Sequence, residues 1–198
     1  MTLESSDKQK KKSQPQPKPP LIKPKWVLTI TCTSFLLSVV MSYASTEALR
    51  NANTMLSFVV LFVFIGLGIL FDMIGVASTS ATEKEFHSMA ARKVRGARAA
   101  VWMTRNAEKV SSICNDVVGD ICGIISGATG ALITANITAG KDAGTVVIVS
   151  LLITGMVSAA TIGGKAAGKS VAIAFSGKVL ALCGRVLSVL PLKLDGRK

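Results

Sequence analysis

The sequence predicts an all-α integral membrane bundle with about four transmembrane helices, a cytoplasmic helical hairpin and a C-terminal interfacial helix. Three observations predict it. Only 17% of the 198 residues are charged and mean hydropathy is +0.50, where a soluble domain carries about a quarter of its residues as charges. Apolar runs long enough to cross hydrocarbon occur at 26–45, 54–82, 110–137 and 145–164. Lys and Arg fall between those runs in alternating blocks: seven in 1–25, one in 46–53, seven in 83–109, one in 138–144 and seven in 165–198.

Residues 1–25 hold seven Lys and five Pro, a composition that builds no core and predicts a disordered, basic, Pro-rich cytoplasmic tail. The run 26–45 has no charge and is bracketed by Trp26 and Tyr43, as interfacial aromatics would be. A signal peptide is the rival reading, given Ser42-Tyr43-Ala44 at its end; the long Pro-rich leader favours a retained N-terminal helix. The run 54–82 carries Asp72 as its only charge, and 145–164 carries none. Residues 83–109 read as a helix broken near Gly96. Glu83 and His87, one turn apart, read there as a surface pair. In 165–192, Lys178 and Arg185 stand seven residues apart on one face, which predicts a juxtamembrane helix in the interface. Residues 193–198 form a short tail.

By the positive-inside rule, the N-terminus, the 83–109 loop and the C-terminus are cytoplasmic and the protein sits in the plasma (inner) membrane. Anionic lipid headgroups then account for the net charge of +12, so membrane lipid is the expected partner and nucleic acid is not. The single His and four Cys, none in a CxxC pair, give no zinc or thiol-redox site, and all four thiols read as inert and buried. No Walker loop, HExxH, GxSxG or dinucleotide fingerprint occurs, so no enzyme is expected.

Carboxylates at membrane depth read by default as functional. Asp116 and Asp120 project from one helix face a turn apart, flanked by Asn115 and Ser112. Rises of about 1.5 Å per residue from Lys109 and Glu83 place them with Asp72 in one layer near the midplane. Ser78 and Ser158 add hydroxyl oxygens. Carboxylates with neutral oxygens, and no nearby His or Cys ligand, suit a hard cation such as magnesium or sodium. Gly119, Gly123 and Gly127 recur every fourth residue, a surface for close helix approach within a chain or across a dimer.

The order "IGVASTSATEKEFHSMAARKVRGARAA", "NAEKVSSICNDVVGDICGIISG", then "GGKAAGKSVAIAFSGKVLAL" resembles the transmembrane domain of the CorB/cyclin-M (CNNM) magnesium transporter family over about residues 57–192. Ile74 to Ser78 is similar to the family's Ser-Gly-Ala-Glu-Thr stretch, with Gly75 and the Ser78 hydroxyl kept. Cys114 to Asp116 is similar to its Gly-Asn-Asn motif, with Asn115 and Asp116 in the polar positions. Residues 163–172 resemble its Gly-Glu-x-x-Pro-Lys-Thr, matching at Gly164 and Lys169. Lys165 stands where the family has an acidic residue, and Gly168 where it has Pro. The resemblance implies a homodimer that moves magnesium or a related divalent cation, with Asp116, Asn115, Asp120 and Ser78 as ligands. It also implies that nucleotide-linked regulation comes from a separate chain or does not exist, since no CBS domain follows within the sequence. The alternative expectation is a non-transporting scaffold or partner subunit in which the Lys165 ammonium replaces the ion.

Overall fold

The computed structural model describes residues 24–50 and 53–189, so the N-terminal tail up to residue 23 and the 193–198 tail lie outside the described residues. Helix follows helix: α1 Pro24–Leu49, α2 Thr54–Ser80, α3 Glu83–Ala91, α4 Ala97–Arg105 and α5 Ala107–Ser111 come first. A π-helical segment, Ser112–Val118, then joins α5 to α6 Gly119–Ile137, and α7 Ala143–Ala174 and α8 Ser176–Val189 complete the chain. No strand occurs among the described residues. Four stretches, Val27–Leu49, Thr54–Ser80, Ala107–Ile137 and Ala143–Ala174, are long and apolar enough to cross a membrane. The protein is thus an all-α helical bundle of membrane type.

Helix α2 is the hub and touches α1, the π segment and α4 through α8. Its start is fixed by Asn53, whose side chain accepts a 2.9 Å hydrogen bond from the Leu56 N–H, and its end by Ala81 turning extended. Small residues set its neighbours' distances. A Cβ on Gly168 of α7 would stand 3.0 Å from the Met73 side chain and 3.1 Å from Ile69, so α7 lies flush on α2 because that atom is missing. Leu61 and Ile65 pack with Ile133 of α6 and with Ile153 and Val157 of α7. Helix α1 leans on this core through Ile30, Leu37 and Met41, spaced to share one face, against Phe64, Val117 and Ile125.

The polar-rich end is closed by the α3–α4 hairpin and α8. Lys93 and Gly96 take positive φ, 57° and 85°, in the turn between α3 and α4. Gly96 also presses against Gly184 of α8 so closely that neither could carry a side chain. Phe86, Ala100, Met103 and Leu180 are buried there with Ala77, Val110 and Cys114.

Several expected boundaries move. Helix α1 runs to Leu49 and not 45, and the third span begins at Ala107 and not 110. The break expected after 164 falls instead at Phe175, whose N–H bonds the Val171 carbonyl. A helical glycine costs only about 1 kcal/mol against Ala, and Gly164 and Gly168 recover it by packing on α2. Cys32 faces outward on α1, unlike Cys114 and Cys122, which are buried.

Candidate cation site

Asp72 is the one charged residue of α2 and lies on its buried face, with Gly68 one turn before it and Gly75 one turn after. Its side chain is 5% exposed. Its Oδ2 makes no hydrogen bond, and its nearest cation is the Lys169 Nζ of α7 at 3.9 Å. That separation is too long for a hydrogen bond and short enough for strong attraction. The Lys169 side chain is itself half exposed.

Asn115 reaches the same face through the π segment. An i→i+5 bond pattern, closed by the Gly119 N–H on the Cys114 carbonyl, inserts surplus chain, and the two halves of the span change facing across it. Val110 and Cys114 pack toward α8; Asn115 packs onto Gly75 of α2. A Cβ on Gly75 would overlap the Asn115 amide. The Asn115 Nδ2 donates to Ser111 Oγ at 3.3 Å, while its buried Oδ1 accepts nothing. Two buried oxygens without donors thus lie within one turn of each other along α2, and such orphans call for a water, an ion or a functional explanation.

The remaining predicted ligands are placed differently. Ser78 is buried, but its hydroxyl is spent on the Gly75 carbonyl at 2.7 Å and reaches the Ala107 carbonyl at 3.5 Å. Asp116 and Asp120 are exposed on the outer face, and Asp116 accepts from Ser112 Oγ at 3.0 Å. Ser158 is exposed on α7. Among the described residues no three His, Cys, Asp or Glu side chains gather around one point, so the single carboxylate layer does not form. The depth is also corrected: at about 1.5 Å per residue, Asp72 lies about 27 Å from Thr54 and Lys165 about 30 Å from Thr145. The cluster therefore sits at one edge of a hydrocarbon layer of about 30 Å, not at its midplane. The stretch of α2 after Asp72 is enclosed by the α3–α4 hairpin and α8, with Ala77 packed among Phe86, Ala100, Met103 and Leu180.

Lys165 was the expected counter-ion, but Lys169 takes that role. The Lys165 Nζ lies against Gly119, 3.4 Å from where a Cβ would stand, and makes no ion pair among the described residues. Sequence reasoning missed the π segment, which has no pattern of its own in "SICNDVV". Lys169 had a signal in the sequence, since it stands four residues after Lys165 and so on the same helix face.

Outside the spans, Glu83 accepts from Arg105 Nε and bonds His87 Nε2 at 2.8 Å; Arg105 first, then His87, holds its carboxyl below the ordinary value. Asp142 caps α7, accepting from the Thr145 hydroxyl and N–H at 2.7 and 2.9 Å, which likewise lowers its pKa.

No family model, curated protein or solved structure matches this chain.

Proposed function

We propose that this membrane protein binds and moves a hydrated cation at the junction of α2, the π segment and α7, with Asp72 and Asn115 as its oxygen ligands. The observation that carries the reading is the pair of buried, donorless oxygens, Asp72 Oδ2 and Asn115 Oδ1. One carboxylate and one amide oxygen suit an ion that keeps much of its water, as magnesium does, and the resemblance to the CorB/cyclin-M family makes magnesium the first probe and sodium the second. Lys169 is then a competitor: its ammonium neutralises Asp72 when the site is empty and swings on its flexible stem toward solvent when the ion enters. Asp116 and Asp120, on the outer face, are left to solvent or headgroups. A homodimer belongs to the same reading.

A second reading has its own observation, the 3.9 Å Asp72–Lys169 pair: a scaffold in which this ion pair is permanent and nothing is transported. One experiment separates the two. Thermal midpoints of the detergent-solubilised chain are measured against magnesium, calcium, sodium and choline, for wild type, Asp72→Asn and Lys169→Met. A bound cation raises the midpoint of wild type, Asp72→Asn removes the rise, and Lys169→Met loses stability without ion but regains it with magnesium. Lys169 is half exposed, so solvent screens the pair and its removal costs less than the about 3–5 kcal/mol of a fully buried one. A Lys169→Met protein that no cation rescues establishes the scaffold.

A further inference from the structure

Helices α6 and α7 diverge along their outer face and leave a groove of about 200 Å³. Gly123, Gly127 and Gly130 floor it on one side, and Thr154, Ser158 and Thr161 line the other. At Gly123 and Gly127 nothing stands within 4 Å of where a Cβ would be, so these glycines do not serve packing within the chain. The groove runs along the helices with no charged residue in its lining, and two charged residues stand just beyond one end of it. Lys165, one turn past Thr161, lies over Gly119, one turn past Gly123. Asp120 stands three residues before Gly123 and seven before Gly127, on the groove's face of α6, and is exposed. The ammonium and the carboxylate do not pair with each other: the ion pairs of the described residues include neither. By the rise arithmetic Asp120 and Lys165 lie about 26 and 33 Å from the outer ends of their helices, at the level of lipid headgroups.

We infer that this groove holds a phospholipid whose headgroup carries both a phosphate and an ammonium, with the phosphate on Lys165, the ammonium on Asp120 and one acyl chain between the glycines and α7. Charge complementarity decides the occupant. A purely anionic headgroup meets Asp120 unfavourably, and a bare hydrocarbon chain leaves both charges without partners at the membrane edge. The inference does not rest on the cation site, which lies one turn farther along the same face of α7, where Lys169 meets Asp72 of α2.

The test uses the full chain in detergent micelles, titrated with phosphatidylethanolamine, phosphatidylglycerol or phosphatidylcholine, with the thermal midpoint as readout and inorganic phosphate as a control. Phosphatidylethanolamine is expected to stabilise at the lowest concentration. Lys165→Gln and Asp120→Asn each raise its half-effect concentration about tenfold, the loss of one charge-assisted hydrogen bond. Gly127→Leu fills the groove and abolishes the response while helical content stays constant. Asp72→Asn leaves it intact, which separates this site from the cation site. Three results overturn the inference: equal response to all three lipids, a response unchanged in both charge variants, or an effect reproduced by inorganic phosphate. A lipid response that survives Gly127→Leu while a dimer dissociates also overturns it and assigns the groove to a second copy of the chain. Asp120 is exposed, so its variant carries the test even where Gly127→Leu fails to fold.

Discussion

Asn115 and Gly75 form the most closely fitted contact of the cation site, and the contact depends on a missing atom. The Asn115 amide occupies the space that any Cβ at position 75 would need, so Gly75→Ala must push the amide off α2 or part the helices. Overpacking of this kind costs about 1–3 kcal/mol. Gly75→Ala is therefore expected to lower the thermal midpoint and to remove the cation response together. Gly66→Ala is the control, because nothing lies within 4 Å of its Cβ position and a helical Gly→Ala change there gains about 0.5–1 kcal/mol. A Gly75→Ala protein with wild-type midpoint and wild-type cation response would dissociate Asn115 from the site. At this scale the sequence was informative about chemistry and poor about facing. Asp72, Asn115 and Ser78 were legible as intramembrane polar residues because apolar runs make each one conspicuous. That Asp116 and Asp120 face outward was not, because helical periodicity assigns residues to a common face without saying which neighbour that face meets.

Among elements, the π segment decides which residues point inward. The apolar face of α6, read back from Ile133, Thr129 and Cys122 at 3.6 residues per turn, arrives near position 115. The face running forward from Val110 arrives at 114. The mismatch is close to one residue, about 100° of helix rotation, and the π-helical turn absorbs it. Removing one residue should close the turn into an α-helix, and where the residue is removed determines the result. Deleting Ile113, which is exposed, leaves Asn115 in register with α6 and is expected to keep the cation response. Deleting Val118 puts Asn115 in register with α5, turned about 100° from Gly75, and is expected to abolish the response at equal helical content. Circular dichroism and cation titration of the two deletions check this, and a response surviving in both removes the π segment from the mechanism. Helix existence was legible throughout because runs of twenty or more apolar residues leave no other backbone solution in lipid. Helix ends were less so: the charge at Lys165 ends the apolar run at 164, yet α7 continues to Ala174, held by close packing on α2 that only the folded bundle supplies.

For the whole molecule, the distribution of basic residues makes one claim that helix packing alone does not: which end faces which compartment. The α3–α4 turn, with Arg92, Lys93, Arg95 and Arg98 exposed, closes the end of the bundle that also holds Lys165 and Lys169. The opposite end offers the short connection from α6 to α7 with Lys141 as its one basic residue. Basic loops resist translocation, so the first end is expected to be cytoplasmic and the second external. With the four native cysteines replaced, Lys141→Cys should react with a membrane-impermeant maleimide on intact cells. Lys93→Cys should react only after permeabilisation. Both positions are exposed, so silence at either reports the barrier and not burial. The reversed labelling pattern would invert the bundle and place Asp72, Lys169 and the α6–α7 groove mouth at the external surface. The cation would then meet Lys169 on arrival from outside, and the headgroup lipid would come from the outer leaflet. This single measurement therefore fixes the side from which both proposed ligands enter.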